Sequence, residues 1–251
     1  MRRSTWRAVA DAGRGAPIVA GTVDRVVEVV EQRGSVAELH ALDPFSPVPP
    51  DRPVVWHQRF RDDAIVLGSR QSAELVDAAQ AQSAGLDVAR RRSGGGAVLL
   101  RPGQMLWVDL LVPPGVVPDD VRGSMIWLGE VWRDALGELG AATDAMTVHR
   151  GGLTDTRWAE LVCFAGVGPG EIVVGDHKLM GLSQRRTRHG VRAQCLVHRT
   201  NTVIGMRDLF AVDVPREPLP DPATLADLGL GDCTDDEIVE QVRAALGRRL
   251  N

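Results

Sequence analysis

The chain has 251 residues, 44% hydrophobic and 25% charged, with a formal net charge of −4 at neutral pH. That balance is ordinary for a globular protein and excludes a collagen-like, disulfide-stapled or disordered chain. The slight acidity also argues against a nucleic-acid binder that relies on a broad basic surface.

Of the 29 basic residues, all but Lys178 are arginine, and tyrosine is absent. A GC-rich coding bias accounts for that pattern and leaves the single lysine to be explained. Cys163, Cys195 and Cys233 are odd in number and lack C-x-x-C spacing, so they make neither a disulfide framework nor a zinc site. Residues 1–15 begin Arg-rich without a following apolar region, and no run reaches the ~18 apolar residues of a membrane span. The expectation is a cytoplasmic protein with no membrane and no nucleic-acid partner.

In chain order, residues 42–53 hold five prolines and two aspartates, the composition of a loop or crossing segment. Two strands are expected next, over 54–60 and 64–68, the second wholly apolar and so central to a sheet. An Ala-rich helix is expected over 72–84, with Ser72 as its N-cap. Residues 86–89 predict a short strand. Strands over 97–100 and 105–112 flank a Pro102-Gly103 turn.

The apolar spacing of Val121, Met125, Leu128, Val131, Trp132, Ala135 and Leu139 predicts a helix within 118–140, closed by Gly140. Short strands are expected over 143–149 and 161–164. Residues 171–174 and 178–183 form a hairpin around Gly175-Asp176, and 191–198 adds another strand. Thr234 and Glu237 make a capping box for a C-terminal helix of about 234–248, with Arg248 and Arg249 at its carboxyl end. Many strands with few helices between them point to one α+β domain, 1–251, with a mixed or largely antiparallel sheet and a motif-bearing core of about 54–200.

Three features carry possible chemistry. Arg90-Arg91-Arg92-Ser93-Gly94-Gly95-Gly96-Ala97-Val98 sets three arginines before three glycines at a strand junction, where glycine backbone can approach a ligand closely and aim N–H groups at an oxygen. It has neither dinucleotide-fold nor P-loop spacing, so a plain Gly-rich turn with solvated arginines stands beside an anion or acyl site. Lys178 lies in a strand, where a lysine is ordinarily a solvent-facing position. The other reading is a compact charge that holds a carbonyl or phosphate oxygen. Cys163 is either a small buried hydrophobe or a nucleophile whose thiolate a nearby cation favours. Cys195 and Cys233 are expected to be structural.

The arginine-glycine segment resembles the R-R-x-S-G-G-G-A-V signature of the lipoate-protein ligases, and residues 171–184 resemble the same family's strand-turn-strand with its lysine. Two motifs in the right order are more specific than either alone, and the likeness to the biotin/lipoate protein ligase superfamily spans about 64–198. The resemblance implies a class II synthetase-like catalytic fold, a mixed, mostly antiparallel sheet flanked by helices. It also implies a site in which Arg91, Ser93, Gly94, Gly95, Gly96, Ala97, Val98, Glu171 and Gly181 bind the substrate and Lys178 meets the acyl carbonyl or acyl-phosphate oxygen.

Within the superfamily, ligases activate the acid with ATP and Mg, whereas octanoyltransferases and lipoyl amidotransferases carry the acyl group on a cysteine and need no cofactor. Cys163-Phe164 followed by Glu171 and Lys178 resembles the cysteine branch, as does Gly181-Leu182-Ser183-Gln184-Arg185-Arg186. Where ligases carry a His-Asp pair this chain reads Leu99-Leu100-Arg101-Pro102, and their Asn-Asp pair reads Gly170-Glu171. Only a short segment follows His198, where ligases often carry an accessory domain.

The resemblance thus implies catalytic roles for Cys163 and Lys178, no metal in the thioester version, and an octanoyl or lipoyl donor. The acceptor would be the lysine of a lipoyl domain or glycine-cleavage H-type carrier protein; Arg185, Arg186 and Arg188 on the turn after the lysine strand read equally as a docking patch for an acidic carrier or as a solvated hairpin tip. An ATP-dependent ligase using an acyl-adenylate and a non-catalytic lipoate- or acyl-binding protein are the alternatives.

Overall fold

The computed structural model describes residues 27–154, 157–203 and 205–250; the Arg-rich residues 1–15 lie outside them. In order, the elements are β1 (Glu28–Gly34), α1 (Val36–Ala41), β2 (Val54–Phe60), β3 (Ala64–Leu67), α2 (Ala78–Ser83), β4 (Asp87–Arg90), β5 (Val98–Leu100) and β6 (Met105–Val112). They continue with α3 (Val121–Glu138), β7 (Met146–Val148), β8 (Ile172–Val174), β9 (His177–Thr187), β10 (Gly190–His198) and α4 (Asp235–Arg249). A seven-stranded sheet runs β1-β2-β6-β10-β9-β8-β7, and a three-stranded sheet runs β4-β3-β5. In the large sheet every pairing is antiparallel except β1 with β2. In the small one β3 lies parallel to β4 and antiparallel to β5.

The apolar pattern explains this layering. Helix α3 lays Leu128, Val131, Trp132, Ala135 and Leu136 against one face of the large sheet, together with Ile238, Val242 and Leu246 of α4. Each of the Leu, Val and Ile side chains among them contributes roughly 1.5–3 kcal/mol through burial. Strand β3 is apolar at every position because both its faces are covered: Ile65 and Leu67 meet Trp158 and Phe210, while Ala64 and Val66 meet Val98, Met105 and Trp107. The second contact joins the small sheet to the large one.

Two expected elements are corrected. The helix over 72–84 is a 3₁₀ turn capped by Ser72 followed by α2 capped by Asp77. The break falls at Val76, which bridges to Phe210. Residues 161–164 form no regular strand: Val162 bridges Ala97, and Cys163–Ala165 is a 3₁₀ turn. The polar edge strand β1 and the short α1 carry no strong periodic signal and are not anticipated. The C-terminal capping box on Thr234 and Glu237 forms as expected.

One irregularity matters for the site. Met180 pairs with Ile172, but Lys178 pairs with Val173, so Leu179 is an extra residue in β9. Leu179 and Met180 both enter the helix-covered core. The bulge thereby turns Lys178 to the opposite face, which Gly181 shares. No helix among the described residues is long and apolar enough to cross a membrane.

Candidate active site

The glycine segment connects β4 to β5 and folds back on the small sheet. Its arginines alternate: Arg90 and Arg92 are exposed, whereas Arg91 is 2% exposed. Arg91 donates to the carbonyls of Val66 (3.2 Å), Gly94 (2.8 Å) and Gly96 (2.7 Å) and so holds the loop in shape. Burial pulls its pKa below the ordinary guanidinium value, opposed by the charges of Cys163 and Glu171. Ser93 is buried and donates to Gln194 (2.6 Å) while sharing a hydrogen bond with Ser183 (2.9 Å).

Gly95 has φ +99°, a conformation that favours glycine. At Gly96 the reason is space: a Cβ there would lie 2.6 Å from the Val162 carbonyl carbon and 2.7 Å from the Cys163 nitrogen. That close approach lets Ala97 bond across, its N–H to Leu161 (2.7 Å) and its carbonyl to the Cys163 N–H (2.9 Å). The glycine loop and the cysteine turn are thus stitched side by side.

Strand β9 supplies the facing wall. Lys178 is 3% exposed, contrary to the solvent-facing position that simple alternation gives it. Its ammonium donates to the carbonyls of Cys163 (2.7 Å) and Gly166 (3.1 Å) and pairs with Glu171 Oε1 (2.7 Å). These three partners match its three N–H bonds. The Glu171 carboxylate also accepts from the N–H groups of Gly168 (2.6 Å) and Leu182 (3.0 Å). Gly181 makes room for the Phe164 ring, which a Cβ would meet at 3.1 Å. His198 stacks edge-on against that ring at 4.3 Å, and burial, reinforced by Lys178, holds its pKa down to about 3.

Between the walls lies a cleft of ≈ 430 Å³, lined by Gly94, Gly95, Gly96, Cys163, Glu171 and Lys178 and continued by the apolar Met125 and Leu153. A void of ≈ 20 Å³ behind it touches Arg91, Val98, Cys163 and Gly181, with Trp107 and Leu196 as further walls. Ser93 and Ala97 line neither and support the loop from behind. Sequence reasoning does not single out Gln194, and names Ser183 only within the motif of residues 181–186, although their pairing across β10 and β9 puts them together beneath the loop. Cys195 is fully buried, which pushes its thiol well up, away from reactivity. Arg186 is committed to the carbonyls of Pro118 and Asp120 and to the Ser124 hydroxyl, and Arg185 faces Asp43 at 3.5 Å.

The cleft offers a Mg ion one carboxylate, Glu171, with both oxygens already engaged. Glu31, His57 and Asp236 form the other group of possible ligands among the described residues, and Arg59 bonds both its carboxylates at 2.6 Å. Where ligases place His-Asp, Leu99 and Leu100 are buried core residues of β5. The carboxylates of both groups are thus already engaged by protein donors.

The family model "Lipoyl protein ligase A/B catalytic domain" matches residues 47–214. No curated sequence matches the chain. Among solved structures it is similar to a lipoate-protein ligase A bound with ATP, at TM-score 0.70 and 20% identity over 89% of this chain and 84% of that one. It is also similar to a bi-partite lipoate protein ligase of Thermoplasma acidophilum, from an archaeal lipoylation system with its E2 lipoyl domain, at TM-score 0.67 and 18% identity over 89% and 82% of the two chains. A third is LipL1 of P. falciparum in complex with lipoate, at TM-score 0.62 and 13% identity over 89% and 62%. The α+β fold with its mixed, mostly antiparallel seven-stranded sheet is the fold expected from the sequence.

Proposed function

The chain belongs to the family of lipoyl protein ligase A/B catalytic domains, and on that premise we propose that it moves an octanoyl or lipoyl group through a Cys163 thioester onto the lysine of a lipoyl-carrier domain. The observation that carries this reading is the placement of Cys163: its thiol lines the cleft against the glycine loop, and its own carbonyl is held by Lys178 at 2.7 Å.

In the first half-reaction the Cys163 thiolate attacks the donor's acyl carbon. The C–S bond forms, the bond to the donor's carrier atom breaks, and the leaving group departs with a proton. The main chain of Gly94–Gly96 offers N–H groups to the developing oxyanion, a kind of contribution worth about 3–4 kcal/mol per donor. Lys178 can join them by exchanging its longest bond, to Gly166 at 3.1 Å, for the acyl oxygen. In the second half-reaction the neutral amine of the carrier lysine attacks the thioester carbon, the C–S bond breaks as the amide forms, and the proton lost by the amine goes to the sulfur, restoring the Cys163 thiol. The acyl tail would lie in the apolar part of the cleft, since the void behind the glycine loop holds about one water.

Intact mass after incubation with an octanoyl donor tests this. A hydroxylamine-labile adduct that disappears in Cys163→Ala is the expected result. ATP-dependent formation of octanoyl-adenylate without any adduct would overturn it in favour of the ligase chemistry, and acyl binding with neither product in favour of a binding protein.

A further inference from the structure

We infer that Arg91, and not Lys178, is the cation that balances the Cys163 thiolate; the inference rests on the thioester reading and assigns Arg91 as the positioning residue for its nucleophile. The argument starts from charge. A buried ion needs a counter-ion, because dipoles alone return little of the lost hydration. Arg91 has none in the resting arrangement: its hydrogen bonds all go to main-chain carbonyls, of Val66, Gly94 and Gly96, and no carboxylate lies within ion-pair distance of it among the described residues. Lys178 is the opposite case, since Glu171 cancels its charge at 2.7 Å inside the same buried wall. The hairpin wall therefore presents a nearly neutral pair to the cleft and the glycine-loop wall an uncompensated positive charge.

Geometry brings that charge to the thiol. The point where a Gly95 side chain would begin lies 2.8 Å from Arg91 Nη2 and 3.6 Å from Cys163 Sγ. The missing Cβ leaves guanidinium and sulfur both bordering one empty position, and the interaction is through space. Around the thiol the other charged or titratable groups are Lys178 of β9, Glu171 ahead of β8, the exposed Arg70 on the cleft wall, and His198 of β10 behind the Phe164 ring. Lys178 and Glu171 cancel, Arg70 is screened by solvent, and His198 stays neutral, which leaves Arg91 as the buried net charge.

The test is the rate of Cys163 alkylation by iodoacetamide at pH 7, read by site-resolved peptide mass spectrometry on the full chain so that Cys195 and Cys233 do not confuse it. Arg91→Met is expected to slow alkylation at least ~10-fold, as an opposite charge within about 4–6 Å moves such an equilibrium by one unit or more. Arg91→Lys keeps the charge with fewer donors for the loop carbonyls and should alkylate clearly faster than Arg91→Met. Glu171→Gln frees the charge of Lys178 and should accelerate alkylation. A purely structural Arg91 would make the Lys and Met variants fail alike, and that result overturns the inference, as does an Arg91→Met rate within about twofold of normal. If Arg91→Met does not fold, Arg91→Gln, which removes the charge and keeps amide donors for the loop carbonyls, takes its place, and a rate within about twofold of normal there sinks the idea. Absence of any octanoyl adduct on the unchanged chain would instead refute the thioester reading while leaving this measurement intact.

Discussion

On the glycine-loop side of the cleft, a buried cation is held by main-chain carbonyls; on the hairpin side, a buried cation is held by a carboxylate. Arg91 fixes the course of Gly94–Gly96 and keeps its charge, whereas Lys178 ties together the Cys163 turn, Gly166 and Glu171 and gives its charge up. Each wall also buries a neutral histidine. His198 lies near Lys178 and His40 near Arg91 and Arg192, and in both burial is the first cause of a pKa pushed down to about 3. Two ways of burying a positive charge thus serve two purposes within one cleft: one leaves a field for an anion, the other leaves a rigid scaffold with little field.

The largest expected effect breaks the hairpin side. Lys178→Met strands the Glu171 carboxylate at 4% exposure, which should cost about 3–5 kcal/mol of stability in urea unfolding. The double variant Lys178→Met, Glu171→Gln should recover much of that loss, because no unpaired charge remains. A double variant as unstable as the single one would show that the pair is not what holds this wall.

On the other wall, Gly96→Ala drives a Cβ to within 2.6–2.8 Å of the Val162–Cys163 backbone. We expect about 1–3 kcal/mol of destabilisation and roughly a 100-fold slower formation of the Cys163 adduct, because the nucleophile is displaced from the loop.

Acidification probes both walls together. His40 and His198 titrate near 6.5 when unfolded and at about 3 in the fold, so the unfolded chain binds more protons throughout that window. Their contribution to stability is complete above pH 6.5 and is lost progressively as pH falls toward 3. Urea midpoints measured from pH 7 to 4 check the slope. The smallest effect is expected at Gly94, where a Cβ meets nothing within 4 Å; Gly94→Ala should change stability by less than ~0.5 kcal/mol, which separates the two glycines of one motif.

The sequence made the scaffold largely legible. The apolar runs over β2, β3, β6 and β10 and the 3.6-residue stripe of α3 report burial that depends on local pattern alone. What it hid were consequences of distant partners. Val76 ends a helix-like stretch because Phe210 lies across from it, and the turn at Cys163 is shaped by the bridge from Ala97. Arg90, Arg91 and Arg92 look alike in the sequence, yet the loop carbonyls select the middle one for burial. The residues that line the cleft were legible as types and order. Their roles were less so: Glu171 faces the cleft with its oxygens already used, and Ser93 and Ala97 act from behind it.

The single lysine depends on a count as much as on its neighbours. Leu179 touches neither thiol nor glycine loop, but as the unpaired residue of β9 it sets the parity of every side chain before it. If β9 paired position for position before Met180, with no bulge, alternation would swing the ammonium toward the helix-covered core, with each residue that lines the cleft still present. The site therefore depends on the register in which β8 and β9 pair, a property that a survey of contacting residues would pass over.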